Sequence, residues 1–136
     1  MNLQKTLFLL ITCLTLALMA AEEAGAEKEP MWTYEAEENY WCKLAISANG
    51  EYIVAGNSGN VFLFNKDSST PIWSRENGCK LAISADGEYI TSSYGDKVYL
   101  FNRNSSTPLW NYTAAGGVRI VAISADGEYI AAGTQN

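Results

Sequence analysis

Histidine is absent from this 136-residue sequence. Without an imidazole, a Ser-His-Asp triad, a Cys-His pair and a His-ligated zinc are all excluded. Basic residues are also few, nine Lys and Arg against 15 Asp and Glu, for a net charge of −6. Nucleic-acid affinity is carried largely by Lys and Arg, so no nucleic-acid partner is expected. Charged residues make up only 18 % of the chain, whereas 48 % is hydrophobic, with four Trp and eight Tyr. That composition belongs to a folded globular chain and not to a disordered one. At this length a single domain is the limit.

The first 26 residues read as an address. Leu7 to Ala21 is a run of fifteen residues without a charge, preceded by Lys5. A membrane-spanning helix needs about 20 apolar residues, so the run is short for a span. It fits the helical apolar core of a secretory signal peptide, with Ala24-Gly25-Ala26 as the small-x-small cleavage pattern. Cleavage after Ala26 leaves 110 residues with a net charge of −5. The competing reading keeps residues 7–21 as an uncleaved membrane anchor. An extracytoplasmic location is expected in both cases, secreted or at the cell surface. Asn104-Ser105-Ser106 and Asn111-Tyr112-Thr113 then become candidate N-glycosylation sites.

Internal repetition dominates the remainder. Leu44–Gly56 (LAISANGEYIVAG), Leu81–Ser93 (LAISADGEYITSS) and Val121–Gly133 (VAISADGEYIAAG) align without gaps, identical at eight of thirteen positions. Val61–Ser74 (VFLFNKDSSTPIWS) and Val98–Asn111 (VYLFNRNSSTPLWN) share nine of fourteen. The spacing is 37 residues from Ala45 to Ala82 and 40 from Ala82 to Ala122, the surplus falling around Ala114–Gly117. Pro30-Met31-Trp32 matches Pro71-Ile72-Trp73 and Pro108-Leu109-Trp110.

Each unit predicts four short strands. In the middle unit these are Cys79–Ser84, Tyr89–Ser92, Val98–Asn102 and Pro108–Tyr112. The first pair is joined by an Asp-Gly turn at Asp86-Gly87, where a tight hairpin demands positive φ. Asn49-Gly50 and Asp126-Gly127 occupy the same place. The third strand is rich in β-branched and aromatic residues. Nothing after residue 26 has helical periodicity.

A four-stranded unit of about 40 residues repeated in tandem is the signature of a β-propeller blade. The segment AISADGEYIAAG resembles the opening of WD40-like repeats. GNVFLFNKDSSTPIW is similar to the repeat of PQQ-binding-like propellers. The chain lacks the Gly-His dipeptide of WD40 blades, and Phe64-Asn65 and Phe101-Asn102 stand where Trp-Asp would be. The resemblance implies an all-β fold, a partial propeller of four-stranded antiparallel blades after an N-terminal signal helix. Residues 30–34 would be the last strand of a preceding blade, 41–74 and 78–112 two blades, and 118–136 a half-blade. That order fits a truncated propeller, or a subunit that completes its ring by self-association through open strand edges, which recruit other chains.

Trp32, Trp73 and Trp110 are expected as wedges between blades, with Gly50, Gly87 and Gly127 as structural turn residues. Tyr52, Tyr89 and Tyr129 read as packing residues with a polar tip. The Asp and Glu beside the turn glycines follow from turn chemistry, so no metal site is assigned. Cys42 and Cys79 hold equivalent positions. Buried free thiols are their ordinary state, with a disulfide as the alternative if their Cα atoms lie about 4.4–6.8 Å apart. Lys43, Lys80 and Arg119 share a position near the start of the first strand. Ser68, Ser69, Ser105 and Ser106 have no base to activate them. No catalytic residue and no cofactor is assigned. The expected function is an exported, non-catalytic module for protein interaction or scaffolding. The alternatives are a fragment of a quinoprotein dehydrogenase and a membrane-anchored ligand-sensing ectodomain.

Overall fold

A computed structural model describes residues 8–12, 15–19, 29–35, 41–57, 59–76 and 78–135. Every regular element among the described residues is a β-strand. β1 (Phe8–Thr12), β2 (Thr15–Met19) and β3 (Pro30–Glu35) form a first antiparallel sheet. β4 (Trp41–Ile46), β5 (Tyr52–Asn57), β6 (Asn60–Asn65) and β7 (Trp73–Glu76) follow as a four-stranded antiparallel meander. β8 (Lys80–Ile83), β9 (Tyr89–Tyr94), β10 (Lys97–Asn102) and β11 (Trp110–Thr113) form a second meander of the same order. β12 (Gly117–Ile123) and β13 (Ile130–Gln135) pair alone.

The strands predicted for residues 79–112 are all present, with most boundaries displaced by one or two residues. The fourth begins at Trp110 and not at Pro108. Proline has no N–H to give to a ladder, and the chain rejoins β10 through the Leu109 N–H to Leu100 carbonyl bond of 2.7 Å. Ile72 makes the same bond to Leu63, also 2.7 Å. A helix was expected over residues 7–21. Of that run, 8–12 and 15–19 are described, and they are strands. The rest of the proposed signal segment lies outside the described residues.

The sheets pack face to face because their middle strands are apolar on both sides. β5 and β6 are buried along nearly their whole length, whereas β3 and β7 alternate half-buried and exposed positions. Alternating side chains of one strand therefore serve two cores. Ile53, Ala55, Phe62 and Phe64 pack against Trp32 and Tyr34 of β3. Val54, Val61 and Leu63 leave the opposite face and meet Leu81, Ile90 and Phe101 of the next sheet. Val98 passes the arrangement on to Val118 and Val121 of β12. The surplus residues near Ala114–Gly117 wrap the turn at Gly95: Ala114 donates to the Asp96 carbonyl and Val118 to the Gly95 carbonyl, both at 2.8 Å.

The three Asx-Gly turns are built alike. The Tyr89 N–H donates to Ser84 Oγ at 3.0 Å, and Ser84 Oγ donates to Asp86 Oδ1 at 2.7 Å. Asp86 Oδ1 also accepts the Glu88 N–H at 2.9 Å. Ser47, Asn49 and Tyr52 repeat this, as do Ser124, Asp126 and Tyr129. Gly50, Gly87 and Gly127 close the turns at φ of 73°, 73° and 78°, a region that glycine enters without steric cost. The turns also interlock between sheets. Asn49 N–H donates to the Ala85 carbonyl at 3.2 Å, and Ala85 N–H to that of Ala125 at 2.9 Å.

The acid response of the fold follows from these turns. The Glu88 N–H, with the Ser84 hydroxyl, holds the Asp86 carboxyl below its ordinary value. The Ser124 hydroxyl, with the Glu128 N–H, does the same for Asp126. A carboxylate lowered in the folded state stabilises the fold fully above its unfolded pKa of about 3.9, and that contribution fades as pH falls through the lowered value. Asn49 makes the same bonds without titrating. Asp86→Asn combined with Asp126→Asn is thus expected to preserve stability at pH 7 and to flatten its decline below pH of about 4. Urea unfolding at pH 7 and pH 3 measures this; an unchanged acid decline would show that other groups govern it.

Candidate functional site

Trp32 and Trp73 lie between sheets and tie each to the next. Trp32 Nε1 donates to the Lys66 carbonyl at 2.7 Å, and Trp73 Nε1 to the Arg103 carbonyl at 2.8 Å. Their rings lie 5.4 and 5.5 Å from the Phe64 and Phe101 rings. Trp110 differs, being 42 % exposed with no such bond among the described residues. The tyrosines divide in the same way. Tyr52 covers Gly87 and Tyr89 covers Gly127, so closely that a Cβ on either glycine would stand 2.4 or 2.3 Å from the ring. Tyr129 is 72 % exposed.

Trp110 borders a concave feature. A groove of about 390 Å³ runs between β10–β11 and β13, lined by Val98, Leu100, Trp110, Tyr112, Ile130 and Ala132, with Gly127 and Glu128 at one end. Val98 of the lining also belongs to the third core, with Val118 and Val121. Among the described residues β13 is hydrogen-bonded only to β12, so its second edge faces the groove unpaired. The site is apolar with one carboxylate. It can recognise an extended chain by edge pairing and side-chain burial, but it brings no nucleophile and base together.

Several interactions in the filled interfaces were not read from the sequence. Arg75 lies over the Tyr99 and Phe101 rings at 5.4 and 5.5 Å and donates through Nη1 to the Ser106 carbonyl at 3.1 Å. Arg103 lies over the Tyr52 ring at 4.7 Å and pairs with Glu88 at 3.1 Å. Asn102 Nδ2 donates to Glu88 Oε1 at 2.6 Å. Lys66 and Glu51 form the looser counterpart at 3.9 Å. The signal was available: a Glu and a basic residue recur 15 positions apart in both units, Glu51 with Lys66 and Glu88 with Arg103.

The remaining sequence candidates are dispersed. Asn104 and Asn111 are both exposed, the first in a turn and the second in β11. Cys79 is a free, half-buried cysteine with Lys80 Nζ 3.1 Å from its Sγ; the side chain of Cys42 lies outside the described residues. Lys43, Lys80 and Arg119 sit in β4, β8 and β12, the first strands of successive sheets. No group of three or more metal-ligating side chains occurs among the described residues. Nor do these residues contain a helix long and apolar enough to cross a membrane. No family model matches the chain, and no curated protein matches it.

Proposed function

We propose that the chain is an exported, non-catalytic module of the β-propeller kind, which uses open sheet edges and apolar faces for protein interaction or scaffolding. The likeness to WD40-like and PQQ-binding-like repeats supports the propeller reading, together with the face-to-face packing of four-stranded antiparallel meanders. Export is supported by the composition of residues 1–26. The interaction role is carried by one observation: Leu109, Trp110, Tyr112, Ile120 and Tyr129, between 42 % and 72 % exposed, all fall in or beside β11, β12 and the turn into β13, and Trp110 and Tyr112 line the same groove. Large apolar side chains left exposed together in this way are the groups that a protein partner covers.

Sedimentation velocity of the full chain over a range of concentrations tests this reading. Association that rises with concentration is expected. Ile120→Arg, at an exposed position of β12 outside the groove lining, is expected to weaken it. A monodisperse, cooperatively melting monomer at every concentration would overturn the proposal.

A further inference from the structure

We infer that Asn49 is a latent site of covalent modification. The folded turn holds it back from deamidation, and its conversion to aspartate, once the turn has opened, cuts a tie between the first and second meanders. The chain has two Asn-Gly pairs, Asn49-Gly50 and Asn77-Gly78; Asn77 lies outside the described residues. Glycine carries no Cβ to shield its backbone nitrogen, so an asparagine that precedes it is open to attack from that nitrogen. The Gly50 nitrogen gives up its proton and bonds to Asn49 Cγ, the Cγ–Nδ2 bond breaks, and the amide nitrogen leaves as ammonia with that proton. Water then opens the resulting cyclic imide at either carbonyl, leaving aspartate or isoaspartate at position 49. The sum is asparagine plus water to aspartate plus ammonia, with no change of oxidation state.

The fold occupies each polar atom that this reaction needs. The Gly50 N–H donates to the Ser47 carbonyl at 2.8 Å. Asn49 Oδ1 accepts from Ser47 Oγ at 2.6 Å and from the Glu51 N–H at 3.0 Å. Asn49 Nδ2 donates to the Asp86 carbonyl at 3.2 Å. Shielding from solvent plays no part, since Asn49 is exposed and nothing lies within 4 Å of a Cβ built on Gly50. Ring closure therefore waits for the turn to open, an event set by local stability.

The aspartate product fits its own turn but not the neighbouring one. Asp86 and Asp126 make both Oδ1 bonds at the equivalent positions, so an aspartate at position 49 keeps them. The tie to the Asp86 carbonyl needs an N–H, and a carboxylate sets acceptor against acceptor there. That tie belongs to the same turn-to-turn contact as the Asn49 N–H to Ala85 carbonyl bond and the Tyr52 ring against Gly87. Isoaspartate adds a carbon to the backbone of a turn that the Gly50 to Ser47 bond closes.

The test incubates the full chain near neutral pH, folded and in concentrated urea, and follows deamidation by mass spectrometry of its peptides. Asn49 is expected to react at least about tenfold more slowly in the folded chain. Gly50→Ala should slow the reaction in urea severalfold by shielding the nitrogen. Ser47→Ala, which removes one bond to Oδ1, should raise the rate in the folded chain and leave the urea rate unchanged. Asn49→Asp should fold, and unfold at a lower urea concentration than the parent chain at pH 7. Equal rates in the folded chain and in urea overturn the inference, as does a urea rate indifferent to Gly50→Ala. An unchanged rate in folded Ser47→Ala removes the hold assigned to the turn, and an Asn49→Asp midpoint at or above that of the parent removes the tie.

Discussion

Phe101→Ala is expected to lower the unfolding free energy by about 3–5 kcal/mol, the usual range for emptying a fully buried aromatic site. Phe101 is 0 % exposed. It pairs with Ile90 across β9–β10 and packs against the Trp73 ring at 5.5 Å in the neighbouring sheet. The Arg75 guanidinium lies 5.5 Å from the same ring, so the substitution also removes a cation–π partner. The comparison is Tyr112→Ala, 65 % exposed on the groove wall, for which a change within about 0.5 kcal/mol is expected. Urea unfolding of both variants decides the matter. Equal costs would mean that the two meanders do not share a core.

Gly87→Ala should be nearly as damaging, and Gly50→Ala much less, although both glycines have the same φ of +73°. An alanine Cβ at positive φ costs roughly 1–2 kcal/mol in either turn. Around Gly50 there is nothing within 4 Å of the added carbon, whereas at Gly87 it would stand 2.4 Å from Tyr52 Cδ2 and 3.2 Å from its Cβ. The Tyr52 ring cannot withdraw freely, since Arg103 lies over it at 4.7 Å. Overpacking adds about 1–3 kcal/mol. Gly87→Ala is therefore expected to cost roughly 2–5 kcal/mol in total. The difference between the two variants, read from denaturation midpoints at equal m-value, isolates the packing of one sheet's turn on the next. A difference near zero would refute that packing.

The strands and their turns were legible because each is specified by neighbouring residues. Asp86-Gly87 marks a hairpin through local backbone sterics, and Val98-Tyr99-Leu100-Phe101 marks a strand through its side chains. The position of the fourth strand was less legible, because Pro108 and Leu109 belong to the turn-like re-entry that the Leu109 to Leu100 bond determines. Trp73 was readable as a wedge between sheets; the carbonyl it donates to, 30 residues away at Arg103, was not. The candidate groove was not legible at all. Its lining comes from β10, β11 and β13 together, and no sequence window contains them.

What the amino-acid order alone determined is the set of antiparallel strands, the three Asx-Gly turns and the absence of imidazole chemistry. These depend on residue type and on contacts only a few positions apart. The tertiary structure decided how equivalent residues become inequivalent. Trp73 and Trp110 occupy the same place in their units, yet Trp73 is half-buried against Phe101 while Trp110 borders an open groove. Tyr52 and Tyr129 likewise share a sequence context, but Tyr52 covers a glycine of the next turn and Tyr129 stands exposed. Burial is a property of the neighbouring sheet, and the residues around a given Trp or Tyr do not contain the side chains that cover it.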